Sequence, residues 1–297
     1  MTNDSSSPRR KLTLPALAEM RLRQQPIVMV TAYDTPSAKF AEAAGVDIIL
    51  VGDSAGTTVL GGTSTVPVTM DEMIVFCRAT TRGAEATFVV ADMPFGSYQV
   101  SDDQAVENAI RFLKDGGVDA VKLEGAGATL SRVKRILDAG MPVMGHVGLT
   151  PQSATMLGGY RAQGRTAAAA ARLISDAQAL ERAGCFAIVL EAIPASVAEE
   201  VTAVLKVPTI GIGAGSACSG QVLVWHDLLG ISPEPWPRFV KSYANLADVI
   251  TRALSAYSDD VRRGVFPGPE HTYGMPEHER ELLESQLADA AEAAARK

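Results

Sequence analysis

The stretch Asp47-Ile48-Ile49-Leu50-Val51-Gly52-Asp53-Ser54 decides how the chain is read. Its aliphatic run suits a parallel strand buried on both faces, and an acid stands just past its end. The pattern returns at Val89-Val90-Ala91-Asp92, at Ala120-Val121-Lys122-Leu123-Glu124 and at Ala187-Ile188-Val189-Leu190-Glu191. A carboxylate in such a place is costly to bury unless a cation or a hydrogen-bond network holds it. Apolar strands that repeatedly end on a carboxylate imply one shared site. Its business is a metal, a proton transfer, or both.

Working outward, strands are expected at 27–31, 47–52, 87–91, 120–123, 143–146, 186–190, 209–212 and 222–225. Helices are expected at 37–44, 70–82, 102–114, 130–139, 166–183 and 196–205, with glycine recurring at their ends. Such alternation means parallel strands with right-handed crossovers. Eight units in this length imply an α/β fold of the (β/α)8 TIM-barrel kind, with a doubly wound open sheet as the other architecture. In a barrel the strand C-termini share one face, which brings Asp53, Asp92, Glu124, His146 and Glu191 together. Residues 12–24 read as a first helix that plugs or flanks this scaffold. The domain reading is a disordered lead over 1–11, a catalytic barrel over 12–273 and a helical C-terminal extension over 274–297. Within the later part, 238–257 reads as helical, 259–264 extends it, and a last helix from 277 carries Leu283, Leu287, Ala291 and Ala294 on one stripe.

Composition narrows the function classes. The chain has 297 residues, is 47% hydrophobic and only 5% aromatic. Small side chains of this kind suit the space between helix and sheet. Its 27 basic and 34 acidic residues give a net charge of −7, without a basic stripe for nucleic acid or a basic amphipathic helix for a membrane surface. The three cysteines, Cys77, Cys185 and Cys218, lie far apart and read as reduced thiols of a cytoplasmic protein. The first ten residues lack the apolar core of a signal peptide.

Each constellation has an ordinary reading beside the functional one. Asp53 and Asp92 suit a hard divalent cation such as Mg²⁺, which takes one or two carboxylates, or they cap and anchor loops. Lys122 and Glu124, two apart on one strand, share a face. They either form a structural ion pair or leave Lys122 to hold a substrate carboxylate or developing oxyanion. His146 is an active-site group or a satisfied structural histidine. Gly211-Ile212-Gly213-Ala214-Gly215 reads as a loop allowing close ligand approach, because the full dinucleotide fingerprint is absent. Arg161 and Arg165 flank a glycine-rich loop and could clamp an anion.

At these residues the chain resembles the 3-methyl-2-oxobutanoate (ketopantoate) hydroxymethyltransferase family. The resemblance rests on Val30-Thr31-Ala32-Tyr33-Asp34, Leu50-Val51-Gly52-Asp53-Ser54, Ala91-Asp92-Met93-Pro94-Phe95 and Val121-Lys122-Leu123-Glu124-Gly125. It continues through Gly145-His146-Val147-Gly148-Leu149-Thr150-Pro151-Gln152, Gly158-Gly159-Tyr160-Arg161-Ala162-Gln163-Gly164-Arg165 and Gly220-Gln221-Val222-Leu223-Val224. It implies a barrel of the phosphoenolpyruvate/pyruvate type. It also implies Mg²⁺, 5,10-methylenetetrahydrofolate as co-substrate, and a homo-oligomer, commonly a decamer. The implied activity is hydroxymethyl transfer to 3-methyl-2-oxobutanoate in pantothenate biosynthesis. A Mg²⁺-dependent C–C lyase of the same superfamily is the alternative. Carried over by position, Asp53, Asp92 and Glu124 form the metal site. Asp53, Ser54, Asp92, Lys122 and His146 bind substrate, and Glu191 is the catalytic base. The chain departs from the family pattern at Gly125-Ala126, where Gly-Gly is usual, and at Cys218-Ser219-Gly220-Gln221, where Cys-Asp-Gly-Gln is usual. The residues from Pro276 exceed the usual family end.

Overall fold

A computed structural model describes residues 10–233 and 235–296. The first nine residues of the expected lead lie outside the described residues. Lys11 is already pinned, with Nζ 2.7 Å from Asp119 and donating to the Thr87 carbonyl at 2.8 Å.

The elements run α1 (Leu14–Leu22), β1 (Ile27–Thr31), α2 (Thr35–Ala43), β2 (Ile48–Val51), α3 (Ala55–Thr58), α4 (Met70–Thr81), β3 (Phe88–Asp92), α5 (Asp102–Arg111) and β4 (Ala120–Glu124). They continue with α6 (Thr129–Asp138), β5 (Val143–Gly148), α7 (Ala167–Ala183), β6 (Ala187–Glu191), α8 (Ala195–Val204), β7 (Thr209–Ile212), β8 (Gly220–Leu223), α9 (Trp225–Leu228), α10 (Leu246–Arg262) and α11 (Glu277–Ala295). All eight strands pair in parallel in chain order and β8 closes on β1, so the sheet is a barrel and the open-sheet alternative falls.

Every residue of β2, β3 and β4 is buried, which is why those strands read as unbroken apolar runs and not as alternating ones. Their side chains divide between two cores. Met29, Ile48, Leu50, Val90, Met144 and Ile210 belong to one cluster, filling the barrel. Ile49, Val89, Val121, Ile136, Leu180 and Val201 belong to the other, between sheet and helices. Leu17 and Met20 of α1 join the first cluster, so α1 plugs the N-terminal end of the barrel.

Within the strands, two glycines are required by close backbone approach. Gly148 ends β5 at φ +101°, and a Cβ there would lie 2.2 Å from the Glu191 carbonyl oxygen. Gly220 opens β8, where a Cβ would lie 2.4 Å from the Ile27 carbonyl oxygen. That fit starts the strand two residues earlier than its apolar run suggested, and Trp225, expected to end it, opens α9 instead. The helix expected from 238 begins only at Leu246, where Asn245 accepts from the Asp248 N–H as its cap. It then runs to Arg262 without interruption.

The chain separates into two compact units, one reaching Ala244 and the other starting at Asn245. That division falls earlier than the domain boundary at 274 drawn from sequence. The first unit holds the barrel, and the second contains α10 and α11, whose described residues are nearly all exposed. Among the described residues, no helix is long and apolar enough to cross a membrane.

Candidate active site

The C-terminal ends of the strands open into a cavity of about 300 Å³. Asp53, Ser54, Asp92, Lys122, Glu124, His146 and Glu191 all line it. These seven residues, far apart in sequence, therefore meet at one place. Register explains how: Asp92 pairs with Lys122 across β3 and β4, Glu124 with His146 across β4 and β5, and Gly148 with Glu191 across β5 and β6.

The partners differ from those that sequence spacing suggested. Lys122 Nζ sits 2.7 Å from Asp92 Oδ1 and 3.2 Å from His146 Nδ1, so its ion pair is with the neighbouring strand and not with Glu124. Glu124 places Oε1 3.6 Å from His146 Nδ1, while its Oε2 accepts from the Gln152 backbone N–H at 3.0 Å. Glu191 has no cation near it in sequence, yet its Oε2 lies 3.2 Å from His146 Nε2. It is also the least enclosed of these acids, its side chain 16% exposed against 2% for Glu124. Ser54 Oγ and the Tyr33 hydroxyl share a hydrogen bond of 2.8 Å.

Charge crowding sets the electrostatics. Burial, then repulsion from Asp92 and Glu124, pushes the Asp53 carboxyl well above the usual range. Burial also raises Asp92, against the opposing pull of Lys122. Burial raises Glu124, but the nearby charges of His146 and Lys122 and the Gln152 N–H outweigh it and leave the group lowered. Lys122 is raised: burial opposes its charge, but Asp92, Glu124 and Asp53 overcome that. Burial and Lys122 pull His146 down, yet Glu124 and Glu191 outweigh them and lift it to about 9. Two demands meet at His146 Nδ1. The contact with Lys122 suits a bare nitrogen, whereas a raised pKa requires a proton there. A carboxylate beside each ring nitrogen, Glu124 at Nδ1 and Glu191 at Nε2, favours the imidazolium.

These features fit a divalent cation. The Asp53 N–H donates to Asp92 Oδ2 at 3.3 Å, so the two acids stand side by side. Asp92 Oδ1 is buried and accepts no well-directed hydrogen bond, although the Lys122 ammonium is close. Among the described residues no three His, Cys, Asp or Glu side chains form a metal-binding group. The expected trio of Asp53, Asp92 and Glu124 lines one cavity, with Glu124 also contacting His146 and Gln152. Two carboxylates with positions left for water and substrate is the usual Mg²⁺ arrangement.

Several contributors escaped the sequence reading. Gln152, Tyr98 and Tyr33 bind the site acids or Ser54 directly. Gln152 stands within a motif quoted above, but nothing in its spacing announces a role. Thr65 Oγ1 is buried without a partner in a residue lining the cavity. Arg161 and Arg165 are absent from the wall, and Tyr160 represents their loop there. The glycines at 213 and 215 make room for protein, since a Cβ would meet the Phe239 ring at 2.7 Å and Ala195 at 2.5 Å.

Fold and cavity define a (β/α)8-barrel enzyme with its acids at the strand ends. Solved structures of that architecture include phosphonopyruvate hydrolase complexed with oxalate and Mg²⁺ (TM-score 0.57, 14% identity, 96% of this chain and 99% of that one). Another is 2,3-dimethylmalate lyase of the PEP mutase/isocitrate lyase superfamily (TM-score 0.55, 15% identity, 94% and 98%). Sequence defines the family more narrowly. A family model described as ketopantoate hydroxymethyltransferase matches residues 11–269. The 3-methyl-2-oxobutanoate hydroxymethyltransferase of Moorella thermoacetica is 57% identical over 265 residues, spanning 89% of this chain and 98% of that one. The protein named 3-methyl-2-oxobutanoate hydroxymethyltransferase 1, mitochondrial, of Arabidopsis thaliana is 51% identical over 90% of this chain and 78% of its own length. The chain belongs to the ketopantoate hydroxymethyltransferase family.

Proposed function

We propose that this protein transfers a hydroxymethyl group from 5,10-methylenetetrahydrofolate to 3-methyl-2-oxobutanoate, giving ketopantoate and tetrahydrofolate in pantothenate synthesis. One water is consumed and supplies the new hydroxyl oxygen. The observation that carries this reading is the meeting of Asp53, Asp92, Lys122 and Glu191 in one cavity of a chain matched to the family over 11–269.

Asp53 and Asp92 would hold Mg²⁺, with Glu124 beside them. When bound, that ion supplies Lewis acidity toward the 2-oxo group of the keto acid. Lys122 and Ser54 bind the substrate carboxylate. Glu191 removes the C3 proton as general base. The electron pair left at C3 forms the new C–C bond to the one-carbon unit. His146 spans Glu124 and Glu191 and keeps the base oriented. The folate carries the one-carbon chemistry, and the chain's task is to orient both reactants. The protein is read as cytoplasmic and as a homo-oligomer, ten copies being the family expectation, with no nucleic acid or membrane partner.

Incubation with the keto acid, Mg²⁺ and methylenetetrahydrofolate tests the reaction. Ketopantoate formed only when folate is present is the expected result. Folate-independent cleavage of a 2-oxo or 2-hydroxy acid would overturn it in favour of the lyase alternative.

A further inference from the structure

Gln152 follows β5 in the short 3₁₀ turn Pro151–Ser153 and is 6% exposed. Its side-chain Nε2 donates to Asp53 Oδ2 at 2.9 Å and to the Met93 carbonyl at 2.9 Å. Its Oε1 accepts from the Tyr98 hydroxyl at 2.7 Å and from Gln99 Nε2 at 3.4 Å. All four hydrogen-bonding positions of the amide are thus used. A flipped amide would turn its oxygen on a carboxylate and a carbonyl, so only one orientation is compatible with these neighbours. The backbone N–H of the same residue donates to Glu124 Oε2 at 3.0 Å. Tyr98, 4% exposed, completes a closed ring, because its hydroxyl oxygen accepts from the Glu124 N–H at 3.3 Å.

We propose that Gln152 is a positioning residue that sets the Asp53 and Glu124 carboxylates for the cation, with Tyr98 locking its amide in the one useful orientation. The proposal rests on the Mg²⁺ reading given above. Physically, a carboxylate that repels two neighbours will rotate away from them unless a donor restrains it. Asp53 faces both Asp92 and Glu124. The Gln152 amide is the donor on its Oδ2, and the nearby Lys122 ammonium is engaged by Asp92. One residue thus restrains two acids from two strands, one through its side chain and one through its main chain. Groups that orient ligands in this way typically change metal affinity by about 10–100-fold when removed.

Titration calorimetry with Mg²⁺ alone tests this on the full-length wild type, on Gln152→Met, which keeps length without the donor, and on Tyr98→Phe, which removes only the lock. Gln152→Met is expected to weaken Mg²⁺ about 10–100-fold and Tyr98→Phe by a smaller factor in the same direction. Deuterium exchange at C3 of 3-methyl-2-oxobutanoate, followed without folate, adds a second readout. Its loss at low Mg²⁺ should be repaired by saturating Mg²⁺, since Glu191 and His146 are untouched. Unchanged Mg²⁺ affinity in both variants would overturn the proposal. A loss that saturating Mg²⁺ does not repair, together with a lowered melting temperature, would make Gln152 a prop of the fold and also overturn it. Absence of Mg²⁺ binding by the wild type would overturn the metal reading itself, and this inference with it.

Discussion

Glu191 stands apart from the other acids of the cavity at the level of single atoms. Asp53 and Glu124 are held by Gln152 and Asp92 is paired with Lys122, whereas His146 Nε2 is the one side-chain partner that Glu191 contacts among the described residues. It is also open enough to meet a substrate hydrogen. Replacing it with Gln keeps its shape and removes its basicity. Exchange of the C3 hydrogen of 3-methyl-2-oxobutanoate into D₂O, followed by NMR, should fall by about 10²–10⁴-fold. Keto-acid and Mg²⁺ binding should survive. Wild-type exchange in this variant would move the base to another residue, with His146 next in place. The residue types of the site were legible because each acid closes an apolar run. Their pairings were not. Lys122 turns to Asp92, and His146 reaches Glu191, through strand register, which one sequence does not display. Gln152 gave no signal at all, since a glutamine after a proline is ordinary anywhere.

Elements were legible where packing demands a single kind of side chain. The central strands are apolar throughout because helices cover one side and the barrel core fills the other. β8 was misplaced because its first residues, Gly220 and Gln221, are chosen for backbone fit against β1 and not for hydrophobicity. The seven-residue stretch before Asn245 read as helix from composition, but the cap at Asn245 shows where the helix begins. α1 was seen as plug or flank, and the placement of Leu17 decides for the plug. That side chain is 2% exposed against the barrel interior. Leu17→Ala should therefore cost about 2–5 kcal/mol, the usual range for a buried leucine cut back to alanine. Urea unfolding would measure it. Activity of the folded fraction should be nearly unchanged, since α1 closes the barrel end opposite the acids. A loss under 1 kcal/mol would mean that the plug is loosely seated.

At the scale of the whole molecule, the two compact units raise different questions. α11 exposes Leu282, Leu283 and Leu287. Exposed apolar side chains grouped on one helix mark a candidate contact surface, which truncation tests. Deleting residues 277–297 should lower the assembly mass by light scattering or the melting temperature; no change in either would leave the segment a solvated tail. The barrel's stability should in turn carry the mark of its buried charges. His146 is lifted from 6.5 to about 9, so the folded protein holds a proton that the unfolded chain releases earlier. That contribution is complete below about pH 6.5 and disappears as pH rises through about 9. Asp53 and Asp92, raised from 3.8, act in the same sense, because the folded state binds their protons more tightly than the unfolded one. In EDTA the melting temperature should accordingly fall between pH 6.5 and 9. His146→Gln should flatten that fall, and the difference between the two proteins removes the contribution of distant groups. Saturating Mg²⁺ should flatten it as well, since a dication between the Asp pair relieves the excess negative charge that holds the proton on His146. It should also raise stability overall, by about 2.7 kcal/mol at a hundred times its Kd. A wild-type profile parallel to that of His146→Gln across this range would show that the ring is neutral throughout. The Lys122 contact at Nδ1 would then govern its state, and Glu191 would face a neutral donor instead of a cation.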